Sequence, residues 1–170
     1  MKKQFIAVAL ALALLAGAVA PAAGSVNAAP QVQTTARHHA LFLDKTRFLA
    51  HMGVAYFAFH HFVWNPYKAG AFQSGAPGRT KAFIKAGVAL LFAVHEVKVA
   101  YGIAKGSNSA TLHAVISPVG KLSTAFATVG AKLKRGQYNP NDVTSLYSQT
   151  NSISKGVGGI KDISAPIPGT

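Results

Sequence analysis

Seven histidines and only four acids are the side chains of widest chemical range in this 170-residue chain, and they bound what it can do. His51 and His95 come first. If the apolar stretches around them form two helices facing each other across a turn, His51 lies about fifteen residues before Pro66. His95 then lies about sixteen residues after Arg79, and at about 1.5 Å per residue both stand roughly 23 Å from the connection. His51 borders Phe48, Ala55 and Phe62, and His95 borders Ile84, Val88 and Leu91. Facing imidazoles ligate haem iron from both sides, or hold a divalent metal with a third ligand, for which His113 stands near the start of a later helix. The plainer account is a pair of core or boundary histidines, hydrogen-bonded to backbone or to each other. Glu96 adjoins His95 but points about 100° away around the helix, which makes it a poor co-ligand. His60-His61 and His38-His39 read as solvated or interfacial positions.

A second group interleaves rings with cations: Trp64, Tyr67, Lys68 and Phe72, then Arg79 and Lys81. That mixture suits stacking on a sugar or base combined with contact to phosphate or carboxylate. The plainer account folds Trp64, Tyr67 and Phe72 back over the end of the core. Lys132, Lys134 and Arg135 form a short basic cluster in a last helical turn, where positive charge also suits the helix dipole. With Arg79, Lys81 and Lys85 they are the anion-binding candidates.

Catalytic patterns are absent. No second histidine follows His95-Glu96 at the spacing of a zinc-protease helix. The chain has no nucleophile elbow, no phosphate loop and no close pair of carboxylates, so an enzyme is not expected. With no cysteine, disulfides and thiolate metal sites are excluded.

The start of the chain predicts export. Met1-Lys2-Lys3-Gln4 is a short positive segment, and Phe5 to Ala16 is a run of twelve residues without charge. Small residues and proline follow, as in a secretory signal peptide, and the run is short for a membrane span. Cleavage after Ala28 is preferred to cleavage after Ala18. Residues 1–28 carry two lysines and no acid, so the formal charge of +13 becomes +11 once they are removed. Such a field attracts polyanions over a distance set by salt. The expected partner is an anionic cell-wall polymer or an anionic lipid surface, with membrane disruption by a cationic helical protein as a further alternative; a specific nucleic acid is not expected.

The elements that must position these side chains read as helices. Residues 29–40 lack periodicity and are expected to form a flexible arm. A first helix is expected from Asp44, its cap, to Trp64, with Leu49, Met52, Tyr56, Phe59 and Val63 on one face, ended by Asn65-Pro66. The segment 65–78 then reads as a long loop. A second helix is expected over 79–105, with one seam through Phe83, Gly87, Leu90, Val94, Val97 and Tyr101. Ile84, Val88 and Leu91 make another seam beside it, which predicts a central, largely buried helix. A third carries Leu112, Val115, Val119, Leu122, Phe126, Val129 and Leu133, with a kink or a fresh start at Ser117-Pro118. A fourth starts at Asn139-Pro140-Asn141-Asp142, which reads as cap, first-turn proline and first-turn acid. The fold expected is all-α, an antiparallel bundle of about four helices over 41–157 behind a cleaved signal peptide, with an extended tail over 158–170.

The stretches Thr46-Arg47-Phe48-Leu49-Ala50-His51 and Phe59-His60-His61-Phe62-Val63-Trp64-Asn65-Pro66-Tyr67-Lys68-Ala69-Gly70-Ala71-Phe72 resemble small secreted helical proteins of actinobacteria and similar soil bacteria. Lys85-Ala86-Gly87, His95-Glu96 and the Pro-Ile-Pro-Gly ending fit the same pattern. The resemblance implies export and a bacterial envelope setting; it brings no activity and no site residues.

Overall fold

The computed structural model describes residues 31–161, with side chains from His39 onward. The expected signal peptide and most of the expected tail lie outside the described residues. Within them the chain is all-α, mostly helical and without strands.

Helix α1 spans Gln31–Phe59 and so begins thirteen residues before its expected cap. No glycine or proline interrupts the chain between Gln31 and Gly53, so nothing there stops a helix, and Asp44 is an interior residue rather than a cap. Nor does α1 stop at Asn65-Pro66. A π-helical turn, His60–Trp64, follows it directly, the Asn65 N–H donates to the His60 carbonyl, and α2 continues over Asn65–Lys68. In a regular α-helix the Pro66 ring would meet the Phe62 carbonyl; the wider turn just before it relieves that clash. Turns over 69–78 then reverse the chain, with Gly70, Gly75 and Gly78 at positive φ.

Helix α3 spans Arg79–Gly106, as the periodicity predicts. The expected third helix is two: α4, Ala110–Ala114, capped by the Ser109 side chain on the Leu112 N–H, and α5, Ile116–Lys134. The fresh start falls at Val115, not Ser117, and Pro118 sits in the first turn of α5, where a missing N–H costs nothing. Helix α6, Pro140–Gly156, matches its sequence signature: the Asn139 side chain accepts from the Asn141 N–H and Pro140 opens the helix.

The core runs along α3, α1 and α5. Phe48, Met52, Tyr56 and Phe59 of α1 are buried with Phe83, Leu90 and Val97 of α3 and Val119, Leu122, Phe126 and Leu133 of α5. Phe59 and Phe126 stack at 5.8 Å between ring centres. Helices α3 and α5 approach closely at two glycines: a methyl on Gly87 would lie 3.0 Å from the Gly130 carbonyl and 2.5 Å from Cγ of Lys134. Farther along, Tyr101 lies over Gly120, so residue numbers on the two helices run in opposite senses. Helix α6 closes on α5 through Val143, Leu146 and Ile153, and the buried Tyr56 hydroxyl of α1 donates to the Thr150 carbonyl.

Of the two seams expected on α3, the first is buried at Phe83, Gly87, Leu90 and Val97, and the second is not. Ala86, Ala89, Ala93, Ala100 and Ala104 are fully buried, whereas Ile84 is 51% and Leu91 40% exposed. A helix with tight neighbours on both flanks places its small residues against them, because backbones approach closely only over small side chains. The second seam is therefore left facing water.

Candidate functional site

Chain reversal at 69–78 brings most of the cation candidates to one end of the molecule. Lys68, Arg79, Lys81 and Lys85 lie beside or just after the reversal. Lys132, Lys134 and Arg135 reach the same end because the last turn of α5 lies over Gly87. Asp142 is the one described acid there.

These cations are not equivalent. Arg79 is half-buried and is used by the fold: its Nε donates to the Phe72 carbonyl at 3.0 Å, and its guanidinium lies 4.6 Å from the Phe83 ring centre. Lys132 is ion-paired with Asp142 at 2.9 Å. Lys85 is half-buried, and Lys68, Lys81, Lys134 and Arg135 are exposed. The surface free to attract an anion is thus narrower than the sequence candidates, and Lys68 belongs to it.

The rings at this end are occupied. Trp64 stacks on Tyr147 of α6 with centres 3.9 Å apart and planes 9° from parallel, and Tyr67 lies 5.4 Å from it. Lys68 Nζ stands 5.9 Å from the Trp64 ring. Phe72 is buried, 5.3 Å from Phe83 and 5.5 Å from Tyr138. Trp64 and Tyr67 are half-buried against the core and Phe72 is within it. Burial, with a smaller contribution from the neighbouring Tyr67, raises the Tyr138 phenol above its ordinary 10.0.

The histidines differ most from expectation. His51 meets α3 at the expected height, but its partner is Glu96, whose carboxylate accepts from His51 Nδ1 at 2.7 Å. His95 is exposed on the outer side of α3. His113 is exposed too, on α4, its Nε2 hydrogen-bonded to the Ser107 carbonyl. The facing His51–His95 imidazoles expected for haem or a divalent metal are therefore not formed, nor does His113 complete them. Among the described residues no group of three His, Asp or Glu side chains is placed to hold a metal ion. One residue of rotation is responsible: about 100° separates His95 from Glu96, and the alanine arc turns Glu96 toward α1. His60 sits among Tyr56, Phe59 and Tyr147, and the exposed His61 stacks on Phe57 at 5.3 Å.

Three features escaped the sequence reading. Tyr147 as a platform for Trp64 carried no local signal, because the two residues are far apart in the chain. The same 100° that makes Glu96 a poor co-ligand for His95 is what aims it at His51. The outward seam Ile84-Val88-Leu91 was detectable from the alanines opposite it. Among the described residues no helix is long and apolar enough to cross a membrane. No protein-family model, curated protein or solved structure matches this chain.

Proposed function

We propose that the protein is an exported, non-enzymatic antiparallel bundle of four long helices that binds an anionic component of the cell envelope, wall polymer or lipid headgroup, by electrostatics. The observation that carries this reading is the grouping of exposed Lys68, Lys81, Lys134 and Arg135 at one end, where the single described acid, Asp142, is already paired with Lys132. Unpaired like charges held close raise the local potential above that of the same charges spread out, and they exchange small counterions for a polyanion. The leader-like start of the chain supports the envelope setting.

Binding of this kind weakens steeply with salt, because exposed charges more than a Debye length apart are screened, and that length falls from about 10 Å at 0.1 M to about 3 Å at 1 M. The test is co-sedimentation with an envelope fraction over a salt series. It is run beside the K81Q/K134Q/R135Q variant, which should remain in the supernatant at salt where the wild type sediments. A variant that sediments like the wild type at every salt concentration would remove this end from the account.

A further inference from the structure

Helix α3 carries a second regular stripe on the side away from the core. Lys81, Ile84, Val88, Leu91, His95 and Lys98 follow one another at spacings of three and four, which lines them along one face. The structure turns that face outward: Lys81, Ile84, Leu91, His95 and Lys98 are exposed and Val88 is half-buried. The stripe is apolar in its middle and cationic at both ends. Lys134 of α5 flanks it, its Cγ 2.5 Å from where a methyl on Gly87 would be. It holds no acid, since Glu96 is turned away onto His51.

We infer that this face of α3 is a docking surface for an anionic lipid bilayer, lying flat on it with Ile84, Val88 and Leu91 at the depth of the headgroups and the lysines on lipid phosphates. The inference rests on the proposed polyanion reading and selects the lipid surface within it. A wall polymer, charged and hydrated along its length, offers nothing to the apolar stretch that Ile84, Val88 and Leu91 line up on one helix face. A second copy of the same face would set lysine against lysine with no acid to answer it. A bilayer of anionic lipid answers both parts of the stripe, because apolar burial and headgroup attraction add along such a helix. The apolar stretch from Ile84 to Leu91 is about 10 Å long and the span between the two lysines about 26 Å, so several headgroups fit beneath it. The helix lies on the membrane without crossing it, in keeping with its limited apolar length.

The test uses the whole chain with phosphatidylglycerol vesicles, phosphatidylcholine vesicles and soluble polyphosphate. The I84S/L91S variant should bind phosphatidylglycerol vesicles about tenfold more weakly than the wild type, the loss expected for two partly inserted side chains. Its polyphosphate binding and thermal melt should be unchanged, and residues 1–28, common to both chains, cancel from the comparison. Because the chain has no cysteine, a polarity-sensitive dye on L91C reports insertion at one place. Its emission should shift to the blue on phosphatidylglycerol vesicles and not on polyphosphate, while the same dye on S148C of α6 should not shift. Equal vesicle binding by I84S/L91S, or an unshifted dye at position 91, overturns the docking face. If polyphosphate still binds in that case, the broader polyanion reading stands; if the wild type binds neither vesicles nor polyphosphate, both fall.

Discussion

At the residue scale, His51 is paired with Glu96 and not with His95. The Glu96 side chain is 13% exposed and that of His51 34%, so the carboxylate has given up much of its water and the imidazole N–H replaces it. A part-buried pair of this kind contributes about 1 kcal/mol. Glu96→Ala should lower the melting temperature accordingly, whereas His95→Ala, at an exposed position, should leave it unchanged; equal effects would contradict the assignment. Tyr138 gives a pH dependence. Its phenol is held above 10.0 in the folded chain, by burial first and Tyr67 second. The folded state therefore keeps that proton to higher pH than the unfolded state. The stability it contributes is fully present below the unfolded value and is lost as pH rises through the folded one. Urea midpoints measured between about pH 8 and pH 11 should fall, and should fall less in Tyr138→Phe. An identical decline in the variant would assign alkaline sensitivity to other groups.

Among the elements, contact between α3 and α5 depends on two glycines. At Gly87 an added methyl would press on the Gly130 carbonyl and the Lys134 stem, and at Gly130 it would come 3.1 Å from Leu90 Cβ. Gly87→Ala should thus destabilise by about 1–3 kcal/mol, despite alanine's better helix propensity. Gly102 lies on the same helix with nothing within 4 Å of an added methyl, and Gly102→Ala should stabilise by about 0.5–1 kcal/mol. Chemical denaturation of the two variants should move in opposite directions. Much of this architecture was legible in the residues themselves. Asn139-Pro140 with Asp142 marks the start of α6 because capping is a local interaction, and the 79–105 period marks α3 because a long stripe averages out local exceptions. Two things were not legible. The π turn before Pro66 depends on how α1 is held by its neighbours. The rotation of α3 depends on side-chain size as much as on hydropathy, so alanines took the inside and Ile84 and Leu91 the outside. The same rotation explains why the height of His51 against α3 was right and its partner wrong.

For the whole molecule the governing quantity is charge. Four acids oppose seventeen lysines and arginines, and two of the described acids, Glu96 and Asp142, are each engaged by a basic side chain. The far end, with Lys45, Lys105, Lys155 and Lys161 exposed, is positive as well. Exposed apolar side chains accompany the cations at both ends, Phe42 and Leu43 beside Lys45 at the far end and Ile84 and Leu91 on the outer face of α3. Cohesion comes from the apolar core and tolerates this repulsion. Phe126→Ala, which empties the site stacked on Phe59, should cost about 3–5 kcal/mol, far more than any single surface lysine change. Binding should behave in the opposite way, insensitive to a core change that leaves the fold intact and sensitive to exposed charge. The measurement that tests this most directly is co-sedimentation of the protein with the cell-envelope fraction across a salt series. The protein should be in the pellet at low salt and be released progressively as salt rises. A protein that stays in the supernatant at low salt, or that sediments equally at every salt concentration, would contradict it.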